Sequence, residues 1–322
     1  MFDTYYILDE GTLVQKDFTI LFTNKNLEST YIPIKQLSDL YLNVHIQISP
    51  KLIDYIMSEG IQIHYFNDYA YYIGTLVPFN HTRSGKSLTQ EVDHYKDVNK
   101  RFLIAKLILI AAFKNMNHVI QYHLRKNAGI HDEKLSIPID TIMGTNTIQQ
   151  LMSVEGQFRK KYYNNVAFIL GKDQFTRTYP DARDLVNILF NFLNSLLYSV
   201  ILSEIKKTHI SGEIGFIHEV DHNRYPLVYD ISEIFKPIMV DRLIIRLIHK
   251  KQLTDDMVVD GKLTPSAVQL IFKEWNHQIN TKIHHRRLKR TVTYRYLIRD
   301  EIYKLEKHIN GTKTYDPFVT WW

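Results

Sequence analysis

Hydrophobic and polar positions change rhythm once along the chain. Up to about residue 80 the apolar residues come in short runs: TYYILDE, DFTILFT, STYIPI, DLYLNVHI, IQIHYF and YAYYIGTL. Turn material such as Asp9-Glu10-Gly11 and Asn24-Lys25-Asn26 breaks them, so they predict strands. One helix is expected among them, over about 49–58. The polar stretch VPFNHTRSGKS follows, with Pro78 and Gly85, and 81–87 reads as a linker. From Leu88 onward the period is helical. One long helix is expected over 88–126, stopping at Gly129, and another over 147–170, ending at Gly171. A third, over 181–207, is nearly all apolar, with a narrow polar stripe of Asp184, Asn187, Asn191 and Asn194. A further helix is expected to start near Asp230. The predicted fold is α+β: a small N-terminal β-rich domain (1–80), the linker, then a larger all-α helical domain (88–322).

Composition narrows the class. Of 322 residues, 45% are hydrophobic and 23% charged, which is ordinary for a soluble globular chain and argues against disorder. There is no cysteine, which excludes disulfides, thiolate metal sites and cysteine nucleophiles. A metal would have to be held by histidines and carboxylates. The N-terminus MFDTYYILDEG lacks the basic and apolar regions of a secretory signal. The longest greasy stretch, FLIAKLILIAAF at 102–113, contains Lys106 and is too short to span a bilayer. A cytoplasmic protein without a membrane partner is therefore expected. A net charge of +6 hints at a polyanionic partner. Gly85-Lys86-Ser87 resembles the end of a P-loop, but Asn80 stands where its first glycine is required.

His218-Glu219-Val220-Asp221-His222 fits the H-E-x-x-H pattern of zinc peptidases. That pattern needs a helix to bring both histidines to one face. Gly212 and Gly215 lie just upstream and Pro226 just downstream, which leaves little room for one. A harder set of ligands lies nearby in type. Glu155 falls on the apolar stripe of Ile148, Leu151, Phe158, Tyr162 and Val166. It is either paired with Arg159 one turn on or bound to metal. Asp230 and Glu233 would share a helical face, or form a capping box with Asp230 as N-cap. His218 follows the apolar GEIGFI, as a core histidine or a ligand. With Lys236 one turn beyond Glu233, one imidazole and two or three carboxylates suit magnesium or manganese and phosphodiester chemistry.

The block GEIGFIHEVDHNRYPLVYDISEIFKPIMVDRLIIRLI resembles the signature of the CRISPR-associated integrases, the Cas-one endonuclease family. Its elements are Gly215, Phe216, His218, Asp230, Glu233, Phe235, Lys236, Pro237, Asp241 and Arg242. Further blocks agree in order: Ile32–Ile34 and GIQIHYFNDYAYYIGTL, then Glu155-Gly156 with Arg159 and Tyr162-Tyr163, then Arg177 with Asp184 and Asn187. The resemblance implies metal ligands at Glu155, His218 and Glu233, with Asp230 supporting the site and Lys236 near the substrate phosphate. Members often carry arginine where this chain has Lys236, and LSEIKKTHISGEIG replaces a shorter turn before the histidine. It further implies a Mg2+- or Mn2+-dependent DNA endonuclease and integrase. Such a protein inserts short DNA fragments as spacers by 3′-hydroxyl attack, and cleaves single-stranded, double-stranded or branched DNA. The implied partners are DNA, a second copy of the chain through the β domain, and a Cas-two dimer bridging two such dimers.

Basic residues cluster at Arg159-Lys160-Lys161, beside Glu155, and at Arg286, Arg287, Lys289 and Arg290. Both runs are candidate DNA contacts, with Tyr162, Tyr163 and Tyr296 available to stack on bases. The bland alternative for the second run is a solvated helix face. Two rivals stand beside the integrase: a catalytically silent nucleic-acid-binding protein, and the zinc peptidase. The tail ending in Trp321-Trp322 is expected to be non-helical and to tuck against the helical domain or a partner.

Overall fold

A computed structural model describes residues 3–67, 72–79, 84–126, 135–173, 175–179, 181–220, 225–286 and 288–321. The chain divides into two compact units, Met1–Thr82 with Lys262–Asn276, and Arg83–Gly261 with His277–Trp322.

Up to residue 82, the described residues of the first unit form eight strands: β1 (Asp3–Ile7), β2 (Gly11–Lys16), β3 (Thr19–Asn24), β4 (Ser29–Pro33), β5 (Leu37–Asn43), β6 (Ile46–Ile48), β7 (Gln62–Phe66) and β8 (Tyr72–Leu76). They form two four-stranded sheets, ordered β1-β5-β7-β8 and β4-β3-β2-β6. In the first, β1, β5 and β7 run parallel and β8 antiparallel. The core is aliphatic, with Leu13, Ile20, Ile32, Leu40, Leu42 and Ile63 almost fully buried. Helix α1 (Pro50–Ser58) is capped by the Ser49 hydroxyl, which accepts from the Leu52 amide, and contributes Leu52 and Ile56. Strand β2 is absent from the predicted set because Asp9-Glu10-Gly11 reads as a turn. Gly11 instead begins the strand opposite Asn24, where a Cβ would lie 2.3 Å from the Thr23 carbonyl. Lys262–Asn276 belongs to this unit, against the expectation that 88–322 forms one domain. Phe272 supplies the reason, with ring centroids 5.3 Å from Tyr6 and 5.8 Å from Phe66.

The second unit is helical: α2 (Gly85–Lys96), α3 (Val98–Lys126), α4 (Ile139–Gly144), α5 (Ile148–Ile169), α6 (Leu185–Ile205), α7 (Pro226–Lys236) and α8 (Arg242–His249). Of the expected linker, 81–83 lie outside the described residues, and Gly85–Ser87 are the first turn of α2, capped by Ser84. The long helix expected from residue 88 is two helices. Asp97 ends α2 in extended conformation, and its carboxylate accepts from the amides of Asn99 and Lys100, restarting the chain as α3. Gly129 lies outside the described residues. Among those described, Val98–Arg125 and Leu185–Ile205 are long and apolar enough to cross a membrane, although the run at 102–113 alone is not. Most of each helix is packed inside the unit.

Helix α7 begins at Pro226, not near Asp230, with proline in the first turn where a missing N–H costs nothing. Asp230 is therefore interior to the helix, and the capping box does not form. Pro237 then removes an amide that would have bonded one turn back, and Pro237–Asp241 is π-helical before α8 resumes. The basic run near 286 is a hairpin, not a helix face: Lys282–His285 pairs antiparallel with Arg290–Thr293. The tail lies on this unit. Asn115 on α3 donates to the carbonyls of Ile234 and Phe318 and accepts from the Thr320 amide. Phe318 stacks on Phe235, and Trp321 meets His285 with ring centroids 4.7 Å apart. Trp322 lies outside the described residues.

Candidate active site

The segment before His218 is shaped by what it packs against. Phe216 and Ile217 are buried, anchoring the chain in the core. A Cβ on Gly215 would stand 2.7 Å from both the His218 carbonyl and Pro226, so the turn into α7 admits only glycine there. Asp230, fully buried on α7, collects the turn. Its carboxylate accepts from the amides of Phe216, Ile217 and His218 and contacts His218 Nδ1 at 2.7 Å. From the far side Arg101 donates to the Phe216 carbonyl at 3.0 Å. A proton on Nδ1 directed at Asp230 leaves Nε2 as the ring's lone-pair nitrogen, the arrangement that suits a metal-binding imidazole.

Upstream, Glu91 on α2 restrains the same loop. It is fully buried, and both its oxygens accept from the Ser211 amide, at 3.1 and 2.9 Å. Burial raises its pKa to about 8; the Ser211 amide opposes this, and Glu213 and Glu306 add to it. Chain pattern alone does not reveal this residue, because its partner is a backbone amide far away in sequence.

Two further carboxylates share one cation. Glu155 on α5 and Glu233 on α7 are both ion-paired to the guanidinium of Arg159. Lys236 reaches Glu233 at 2.8 Å. The two side chains from different helices thus converge on one cation, with Glu233 almost buried and Glu155 partly so. Burial opposes the charge on Arg159, but Glu155, Tyr163 and Asp241 together outweigh it, so the guanidinium's pKa moves upward. Of the two sequence readings of Glu155, the structure shows the pairing with Arg159 one turn on, and it adds Glu233 of α7 to the same guanidinium.

In chemical type the donors suit a hard divalent cation: two carboxylates already arranged around positive charge, and an imidazole with one nitrogen committed to a buried aspartate. Among the described residues no three of His, Asp and Glu converge closely enough to hold an ion. Arg159 stands between the carboxylates, and His218 is engaged with Asp230. Among the described residues, the helix that a zinc-peptidase pattern needs is not seen. His218 and Glu219 lie in a non-helical turn, and His222 lies outside the described residues.

Around the site the basic residues separate into groups. Lys160 and Lys161 are exposed on α5, as are Arg286, Lys289 and Arg290 on the hairpin. Arg287 lies outside the described residues. Tyr162 corrects the expectation of a DNA contact. It is fully buried, and its hydroxyl donates to Asp241 at 2.7 Å, so it offers no stacking face. Asp241 is itself pushed up to about 6 by burial, against the Tyr162 hydrogen bond. A cavity of about 750 Å³ opens beside Arg159, lined also by Lys160, Tyr163, Asp173, Phe175 and Arg177. The polar stripe of α6 holds one wall. Asn187 accepts from Arg177 at 3.1 Å and donates to the Thr176 carbonyl and to Asp184.

A family model described as CRISPR associated protein Cas1 matches residues 5–277. The CRISPR-associated endonuclease Cas1 2 of Thermodesulfovibrio yellowstonii is 33% identical over 98% of this chain and 98% of that protein. A solved CAS1 protein from Thermotoga maritima has a TM-score of 0.83 at 29% identity, covering 97% of this chain and 99% of that one. A casposase bound to integration product shares the fold, with a TM-score of 0.85 at 17% identity, over 99% of this chain and 93% of that one.

Proposed function

The chain belongs to the Cas1 family of CRISPR-associated proteins, and on that footing we propose that it is a metal-dependent DNA endonuclease and integrase of CRISPR adaptation. The observation that carries this reading is the convergence of Glu155 and Glu233 from separate helices on one guanidinium; an imidazole whose Nδ1 is committed to Asp230 is the third member of the set. Glu155, Glu233 and His218 Nε2 would hold Mg2+ or Mn2+. Such an ion polarises a phosphodiester and stabilises a leaving 3′-oxygen.

The chain's own groups do the rest. Asp230 orients His218 and locks the turn that carries it. Lys236, beside Glu233, presents charge to the scissile phosphate as a point cation without the bidentate grip of arginine. Lys160 and Lys161 lead the DNA backbone toward the acidic pair. In strand transfer the 3′-hydroxyl of a short fragment forms the new P–O bond while the 3′-oxygen of the repeat leaves. With water as nucleophile the same displacement is hydrolysis of single-stranded, double-stranded or branched DNA. The proposed setting is cytoplasmic. The partners are DNA, a second copy through the β-rich unit, and a Cas-two dimer bridging two dimers. Exposed sheet edges are a natural seam for the paired copies.

The test is strand transfer with the Cas-two partner, a short duplex with free 3′-ends, a repeat-bearing plasmid and Mn2+. Wild type joins the fragment, Glu155→Ala and Glu233→Ala lose joining while still binding DNA, and Glu219→Ala joins normally. Joining that survives both acidic substitutions places the chemistry elsewhere. Loss in Glu219→Ala alone would return the peptidase pattern to contention.

A further inference from the structure

Arg159 does more than pair with the glutamate one turn before it. An ordinary helical pair of this spacing is satisfied by one carboxylate. Here the guanidinium spans two helices, taking Glu155 on its own helix and Glu233 on α7, the two carboxylates that would hold the ion. Its side chain is only 18% exposed. Lys236 reaches Glu233 at 2.8 Å and lies over the Tyr198 ring, so it neutralises one of the two carboxylates only.

Two ionised carboxylates facing one another in a largely desolvated place repel strongly unless a cation lies between them. A site built to take a divalent ion carries that repulsion whenever the ion is away. We propose that Arg159 is a built-in surrogate for the metal: it neutralises Glu155 and Glu233 in the metal-free protein and is displaced by the incoming ion. The cavity of about 750 Å³ that Arg159 itself lines gives the released side chain somewhere to go. Asp173 and Lys160 share its walls, so the guanidinium would find a carboxylate or a DNA phosphate beside it. The surrogate lowers the affinity for metal in the absence of DNA and favours loading when a phosphate takes over the arginine. Metal and DNA then bind with positive coupling, because each removes a cost of binding the other.

This inference rests on the metal reading of Glu155 and Glu233, and its test separates the two. Mn2+ binding to the metal-free full-length chain, without DNA, is measured by the electron paramagnetic resonance signal of free Mn2+. Thermal denaturation is followed with and without Mn2+. Arg159→Gln should bind Mn2+ roughly tenfold or more tightly than wild type, since one close competing cation is gone. It should melt lower without metal and gain more from Mn2+ than wild type does. Arg159→Lys, which keeps a charge but cannot span both carboxylates, should fall between them and serves if the glutamine variant does not fold. Arg159→Gln binding Mn2+ no more tightly than wild type overturns the surrogate role, provided Glu155→Gln still weakens binding. If Glu155→Gln changes nothing in either background, the metal reading fails and the surrogate role with it.

Discussion

His218 Nδ1 lies 2.7 Å from Asp230 Oδ1, and that contact decides which face of the imidazole is left for chemistry. The same carboxylate takes three consecutive amides, so one side chain both builds the turn and orients its histidine. Asp230 touches neither Glu155 nor Glu233. It acts through His218 as a positioning residue.

Asp230→Asn keeps the shape but places an N–H₂ where the turn offers only donors. A buried donor left facing donors costs about 1–3 kcal/mol. Losing the histidine's orienting partner costs roughly 10–100-fold in metal affinity. Urea denaturation and Mn2+ titration should therefore both respond. A variant that loses stability but binds Mn2+ as wild type does would confine Asp230 to the fold.

Glu91 should make stability depend on pH in an unusual direction. Its folded pKa of about 8 lies above the ordinary carboxylate value of 4.5, so between these values the folded chain holds a proton that the unfolded chain has released. Its contribution is fully present below 4.5 and is lost as the pH rises through about 8. Glu91→Gln imitates the protonated form at every pH. Melting temperatures across pH 5 to 9 should show wild type falling relative to Glu91→Gln as the pH rises. Parallel curves would mean that the carboxyl stays ionised throughout.

The hairpin charges should act on DNA without regard to sequence. Arg286 and Lys289 are exposed in the turn between its paired strands. If they meet phosphates, each alanine substitution should lower the dependence of log affinity on log salt by about one counterion. It should weaken unrelated DNA sequences equally. Unchanged salt slopes for both variants would return the hairpin to ordinary solvated surface.

Much of the fold is readable from the chain because it rests on local periodicity. Alternating β-branched and aromatic runs mark most strands, and the stripe through Leu151, Phe158, Tyr162 and Val166 marks α5 and the face it buries. The departures come where a local signal has two physical meanings. Asp9-Glu10-Gly11 has turn composition, yet Gly11 already pairs with Asn24 in a strand, and the Thr23 carbonyl passes too close for a side chain there. Asp97 carries no proline or glycine warning, yet its carboxylate splits one expected helix into two. Asp230 has capping-box spacing, yet Pro226 starts the helix a turn earlier and turns the carboxylate inward.

The family and the α+β division were determined by the sequence itself, through motifs that need only residue type and order. The residues named for the site, Glu155, His218, Asp230, Glu233 and Lys236, were likewise visible there. Their relationships were decided only by the tertiary structure. Arg159 looks like a helical partner of Glu155 until α7 brings Glu233 to its other side. Tyr162 looks like a stacking surface until Asp241 draws its hydroxyl into the core. Glu91 carries no motif until the chain returns Ser211 to it. Hydrophobic period records which face of an element is buried. It does not record which charged groups, distant in sequence, must share the same desolvated space, and there electrostatics is strongest.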